Sequence, residues 1–244
     1  MRHVVLVPLV HDEADLGSAG PALLAETIRI AGPGRWAEHT EALTCYWAEV
    51  STFLHSLDPA RLKLFQDGLP VGGSLGRSVV EEAARRGSRN YRLLLDLIDR
   101  GAELCRTEDT DLLRQEYDAI SQAAGTHDGS RTLAEGAAAE GSAADADGRA
   151  RLLRERDEFI AQTIDASLQD GEIGVLFLGA EHQATARLAP DILVHALKDP
   201  ELVRSYFQML LAGGHERERA QLTRYLMAPI DAGARTAITD DTAS

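Results

Sequence analysis

Gly171-Glu172-Ile173-Gly174-Val175-Leu176-Phe177-Leu178-Gly179-Ala180-Glu181-His182 is the stretch whose reading decides the fold. Its apolar run, Val175 to Leu178, is short and bounded by turn-forming residues, the pattern of a strand buried on both faces. Gly179 permits a sharp turn where the strand ends, and the chain then delivers Glu181 and His182 side by side. Open α/β sheets collect their ligands just outside the carboxyl ends of the strands, which places these two residues on the rim where function is expected. The plainer alternative is a loop histidine that only hydrogen-bonds its own turn. What decides between them is whether other strand ends bring partners to His182.

Several segments repeat the pattern. Val4-Val5-Leu6-Val7-Pro8-Leu9-Val10 reads as a first buried strand, ending at His11 and the acidic Asp12, Glu13 and Asp15. Those acids suit a helix N-terminus as well as a metal. Helical periodicity runs from about 35 to 57 through Trp36, Leu43, Tyr46, Trp47, Val50, Phe53, Leu54 and Leu57, and stops at Asp58-Pro59. Leu62 to Phe65 predicts a second strand, ending at Asp67, which Asp67-Gly68 also explains as a turn. Helices are predicted over about 77–86 and 90–100, with Gly87 just past the first and Ser88 capping the second. Glu103 to Arg106 reads as a third strand leading to Glu108, with Asp109 or Thr110 capping the helix that follows.

The composition changes over 124–149, which carries almost no large apolar residue and is expected to form a flexible loop or lid; His127 within it gets little weight as a ligand. A helix over about 150–168 has an apolar stripe of Leu152, Leu153, Phe159, Ile160, Ile164 and Leu168. Its polar face is read as Arg154, Glu155, Arg156, Asp157 and Glu158. After His182, a strand over Asp191–Leu197 contains His195, read as a core histidine, and helices follow at about 200–211 and 215–226. The expected architecture is a single α/β domain over 1–228, a mostly parallel sheet flanked by helices, with a disordered tail over 229–244.

Charge narrows the function classes. The 244 residues carry a formal net charge of −14, which argues against nucleic acid and anionic membrane surfaces as partners. No segment approaches the roughly 20 apolar residues that span a bilayer. Cys45 and Cys105 lack a metal or redox spacing and read as buried reduced thiols. The N-terminal run has no leader pattern, and a cytoplasmic location is expected. The glycines of Gly72 to Gly76 resemble a phosphate loop but lack its lysine. The amphipathic C-terminal helix leaves room for a homo-oligomer.

Two segments together resemble the TraB/GumN/Tiki family, within the wider erythromycin-esterase-like and haem-binding ChaN-like group. They are Glu155-Arg156-Asp157-Glu158-Phe159-Ile160-Ala161-Gln162-Thr163-Ile164 and Val175 to His182. The family has an "eRN" helix, a strand and a Gly-x-x-His motif. Here Asp157 stands in place of the asparagine, and Val7-Pro8 stands where an earlier Gly-x-x-His would begin. The resemblance implies an α/β core and, from the Tiki-like members, a metal-assisted hydrolase.

The residues themselves point to one rim holding His11, Asp67, Glu108, Glu181 and His182, with Arg156 nearby. His11, His182 and Asp67 are the expected ligands of a divalent metal (Zn, Mn, Fe or Co). Glu181 or Glu108 is the expected general base. Arg156 is expected to bind an anionic group of the substrate or a developing oxyanion, with a structural pairing to Glu108 or Asp67 as the alternative. The function expected is hydrolysis of an ester, amide or peptide bond in a small-molecule or peptide substrate. The alternatives are a non-catalytic haem-, metal- or small-anion-binding protein using the same rim and, last, a phosphate-binding enzyme using Gly72 to Gly76.

Overall fold

The computed structural model describes residues 1–10, 28–29, 32–125, 143–212, 216–231 and 238. Among them, five strands form one sheet in the order β3-β2-β4-β1-β5, every neighbouring pair parallel. The strands are β1 (Arg2–Leu9), β2 (Leu62–Gln66), β3 (Glu103–Leu104), β4 (Ile173–Gly179) and β5 (Ile192–Ala196). The helices are α1 (Pro33–His55), α2 (Gly73–Arg85), α3 (Arg89–Asp99), α4 (Thr110–Gly125), α5 (Ala143–Ser167), α6 (Pro200–Ala212) and α7 (Glu216–Met227). This is an α/β fold, as the strand and helix patterns predict.

β4 is the central strand with β1 beside it, and Val4–Leu9 and Ile173–Gly179 are apolar because both faces of the sheet are covered there. Alternate residues of each strand feed two separate cores. Val5, Val7, Leu64, Val175 and Phe177 pack with α1, α3, α6 and α7. Val4, Leu6, Phe65, Leu176 and Leu178 pack with Ile160 and Ile164 of α5 and with Leu168 just after it. The chain leaves α5 at the amino end of β4, so the helix runs against the strands. The residues one turn before Ile160 therefore reach the carboxyl rim.

Local sequence signals account for most of the boundaries. Gly87 adopts φ 111° and donates its N–H to the Ala84 carbonyl, closing α2. The Ser88 hydroxyl accepts from the Tyr91 N–H and opens α3. Asp109, not Thr110, caps α4, with Oδ1 accepting from the N–H groups of Asp111 and Leu112.

Other boundaries differ from the sequence reading. β3 is only two residues long. α5 starts at Ala143, so 143–149 is helical where a loop over 124–149 is expected; 126–142 lies outside the described residues. Of the tail, Ile238 is buried in the core, while 232–237 and 239–244 lie outside the described residues. Cys105 is buried as expected and Cys45 is half-buried, and both are free thiols. His195 is half-buried on β5 and stacks on His3, its Nε2 3.0 Å from His3 Nδ1. No helix among the described residues is long and apolar enough to cross a membrane.

Candidate metal centre

The site lies where the neighbouring strands β2 and β4 end, closed on one side by the segment after β3 and on another by α5. Asp67 follows β2 directly, and its N–H donates to the Phe177 carbonyl of β4. Its Oδ2 accepts from the Gly179 N–H at 3.0 Å. A Cβ at Gly179 would stand 3.0 Å from that oxygen. Glycine is needed here for this close approach: Gly179 is not among the residues of positive φ, contrary to the turn-based reason for it. Gly179→Ala is expected to displace the Asp67 carboxylate by a few tenths of an ångström. A crystal structure of the variant, with its fold compared by circular dichroism, checks this.

The turn after Gly179 sorts the next residues. His182 donates its N–H to the Gly179 carbonyl, and the reversal turns His182 inward and Glu181 outward. His182 is 5% exposed; Glu181 is 71% exposed and pairs with Arg204 at 3.3 Å. Arg204 also donates to the Ala180 carbonyl, tying the turn to α6. The structure places Glu181 on the solvent side of the turn, paired with Arg204 and outside the Asp67, Glu108 and His182 cluster. His11 lies outside the described residues.

Glu108 is brought in by the loop after β3. Thr107 and Glu108 both donate their N–H groups to the Leu69 carbonyl, and the Thr107 hydroxyl accepts from the Gln66 N–H. The Glu108 side chain is fully buried, against 16% exposure for Asp67. Burial raises its pKa above the usual carboxyl value, with Arg156 opposing. His182, Asp67 and Glu108 each offer one ligand atom, and these atoms lie within 4.8 Å of one another.

Arg156 and Asp157 belong to α5, and neither sits on its solvent face. Arg156 shares a helix row with Ile160 and Ile164, and Asp157 shares the next with Ala161, Ile164 and Leu168. Both are buried. They are the continuation of the apolar stripe to the rim, which corrects their assignment to the polar face.

The Arg156 guanidinium makes four hydrogen bonds to three carboxylates. Nη2 is 2.5 Å from Glu108 Oε1 and 2.7 Å from Asp67 Oδ1, Nε is 3.3 Å from Glu108 Oε2, and Nη1 is 2.7 Å from Glu116 Oε2 on α4. Burial works against its charge, but the Glu108 bond and the surrounding carboxylates outweigh this and raise its pKa. The structure shows it paired with the protein carboxylates Asp67, Glu108 and Glu116, the structural pairing given above as the alternative to substrate binding.

Asp157 and Glu116 are the site residues the sequence reading misses. Asp157 Oδ1 lies 2.7 Å from His182 Nδ1, and Oδ2 accepts from the Gln183 N–H at 3.0 Å. His182 Nε2 faces Asp67 Oδ2 at 3.6 Å. Burial alone would lower the His182 pKa; the Asp157 bond and the Asp67 charge outweigh it and raise it. The signal for Asp157 is its place on the apolar stripe; Glu116, on an exposed helix, offers none.

The donor set fits a divalent cation. A carboxylate oxygen has more than one acceptor site, so Asp67 and Glu108 can keep Arg156 and still ligate. With all ionised, four carboxylates (Asp67, Glu108, Glu116, Asp157) face one guanidinium and at most one imidazolium. A cation between His182 Nε2 and Asp67 relieves that imbalance.

The Gly72 to Gly76 loop has a structural account. A Cβ at Gly72 would lie 2.8 Å from the Arg106 nitrogen and 2.9 Å from the Leu104 oxygen, and one at Gly76 2.5 Å from the Val71 oxygen. These glycines let α2 pack against the β3 segment. Compared with family models, with curated proteins and with solved structures, the chain finds no match.

Proposed function

We propose that the protein is a divalent-metal-dependent hydrolase of an ester, amide or peptide bond, its metal held by His182, Asp67 and Glu108. The observation that carries the metal is the convergence of these three donors with His182 tied through Nδ1 to Asp157. Metal-ligating histidines ordinarily donate their other ring nitrogen to such a carboxylate. A bound cation of this kind acidifies a water molecule to near-neutral pKa. Arg156 holds the two ligand carboxylates in place and offsets their mutual repulsion. The hydrolytic part of the proposal comes from the resemblance of 155–182 to the TraB/GumN/Tiki proteins.

Binding without turnover is the second reading, and one observation favours it. Glu181 faces away and Glu108 is fully buried under Arg156, so neither expected general base is placed to reach a substrate. Adding Zn²⁺ or Mn²⁺ to chelator-treated protein tests both readings. Metal at 100 times its Kd is expected to raise the unfolding free energy by about 2.7 kcal/mol. Turnover of ester or peptide substrates by the metal-loaded protein separates enzyme from binder; an unchanged unfolding midpoint contradicts both.

A further inference from the structure

We propose that Asp157 is a positioning residue that fixes the tautomer of His182, forcing the neutral ring to carry its proton on Nδ1 and to turn a bare Nε2 towards Asp67. An ionised carboxylate only accepts. Asp157 Oδ2 is taken by the Gln183 backbone N–H at 3.0 Å, a donor that cannot change its role. Oδ1 stands 2.7 Å from His182 Nδ1, so that nitrogen must be the one that carries hydrogen. The remaining nitrogen then presents its lone pair to the Asp67 carboxylate, 3.6 Å away. Two acceptors facing each other at that separation leave a place for a cation.

Asparagine at 157 cannot do the same. Its single oxygen would go to the Gln183 N–H, leaving its NH₂ against the imidazole. The ring can adapt and the backbone cannot, so His182 would accept at Nδ1 and move its hydrogen to Nε2. The same side chain would then donate towards Asp67, and it could ligate only after that hydrogen moved back to Nδ1. One group replaced on α5 would thus weaken a ligand on the far side of the ring.

The metal-binding consequence rests on the proposed function; the tautomer does not. Long-range proton–nitrogen correlation spectra of ¹⁵N-labelled, metal-free protein, at a pH where the ring is neutral, read the tautomer directly. Wild type is expected to show a protonated Nδ1 and an unprotonated Nε2 at His182, and Asp157→Asn the reverse. Mn²⁺ affinity of the variant, with its fold checked by backbone amide spectra, is expected to fall about 10–100-fold. A wild-type ring protonated on Nε2, or an unchanged tautomer in folded Asp157→Asn, overturns the positioning role. The wild-type measurement stands even where the variant does not fold. The expected tautomer without any Mn²⁺ binding overturns the metal reading and leaves the role of Asp157 intact.

Discussion

Replacing Arg156 with methionine is expected to lower the free energy of unfolding by about 3–5 kcal/mol, the usual cost of leaving one member of a buried ion pair without its partner. Methionine keeps much of the volume beside Ile160 and Ile164, so a cavity contributes little. The cost falls on Glu108, fully buried and bound by the guanidinium through both oxygens. The Glu116 bond adds little, because that carboxylate is partly exposed and screened by solvent. With the guanidinium gone, burial and the Asp67 charge act on Glu108 against His182 only, and push its already raised pKa further up. A carboxyl whose folded pKa lies above its unfolded value gains stability as pH falls. The deficit of Arg156→Met, measured by urea denaturation, should therefore shrink as pH is lowered towards the ordinary carboxyl range. Adding Glu108→Gln should recover part of it at neutral pH. A loss below about 1 kcal/mol would mean that the pair is not the clamp described.

The second large effect belongs to His182. His182→Ala removes the only nitrogen donor of the three and is expected to weaken metal binding by more than about 100-fold, beyond the effect of losing a supporting residue. Metal-dependent turnover should go with it. The variant also isolates a pH effect. The His182 pKa is raised by the Asp157 bond and the Asp67 charge, which together outweigh burial. A histidine whose folded pKa lies above its unfolded value, about 6.5, contributes stability fully present below that pH. The contribution is lost as pH rises through the folded value. Metal-free wild type should lose stability across that window, and His182→Ala should lack that component. A similar pH dependence in both proteins would contradict the bridged imidazole.

Much of the fold is legible because the apolar runs carry it. Val4 to Val10 and Val175 to Leu178 are short apolar runs that suit strands buried on both faces, and the glycines and capping residues punctuate the helices between them. Asp67, Glu108 and His182 are legible as site residues for a related reason: each follows such a run, and parallel strands bring their ends to one rim. What the sequence does not disclose is orientation. Nothing local says that His182 turns in and Glu181 out; that is decided by the Gly179–His182 turn and by the hold of Arg204 on Ala180. Nor does a charged run on α5 announce that Arg156 and Asp157 lie on its buried rows. Their charge suggests solvent, whereas the spacing to Ile160, Ile164 and Leu168 places them against the sheet. The glycines at 72 and 76 mislead in the opposite sense, since close backbone packing and a phosphate cradle call for the same residue.

The central claim is that a divalent cation sits between His182 Nε2, Asp67 and Glu108. A crystal structure of protein soaked with Zn²⁺, with anomalous data collected at the zinc edge, tests it most directly. The expected result is a single strong peak about 2.0–2.2 Å from the His182 nitrogen and from one oxygen of each carboxylate, with Asp157 still on Nδ1. A peak elsewhere, or His182 Nε2 bonded only to Asp67 with no ion between them, would contradict it.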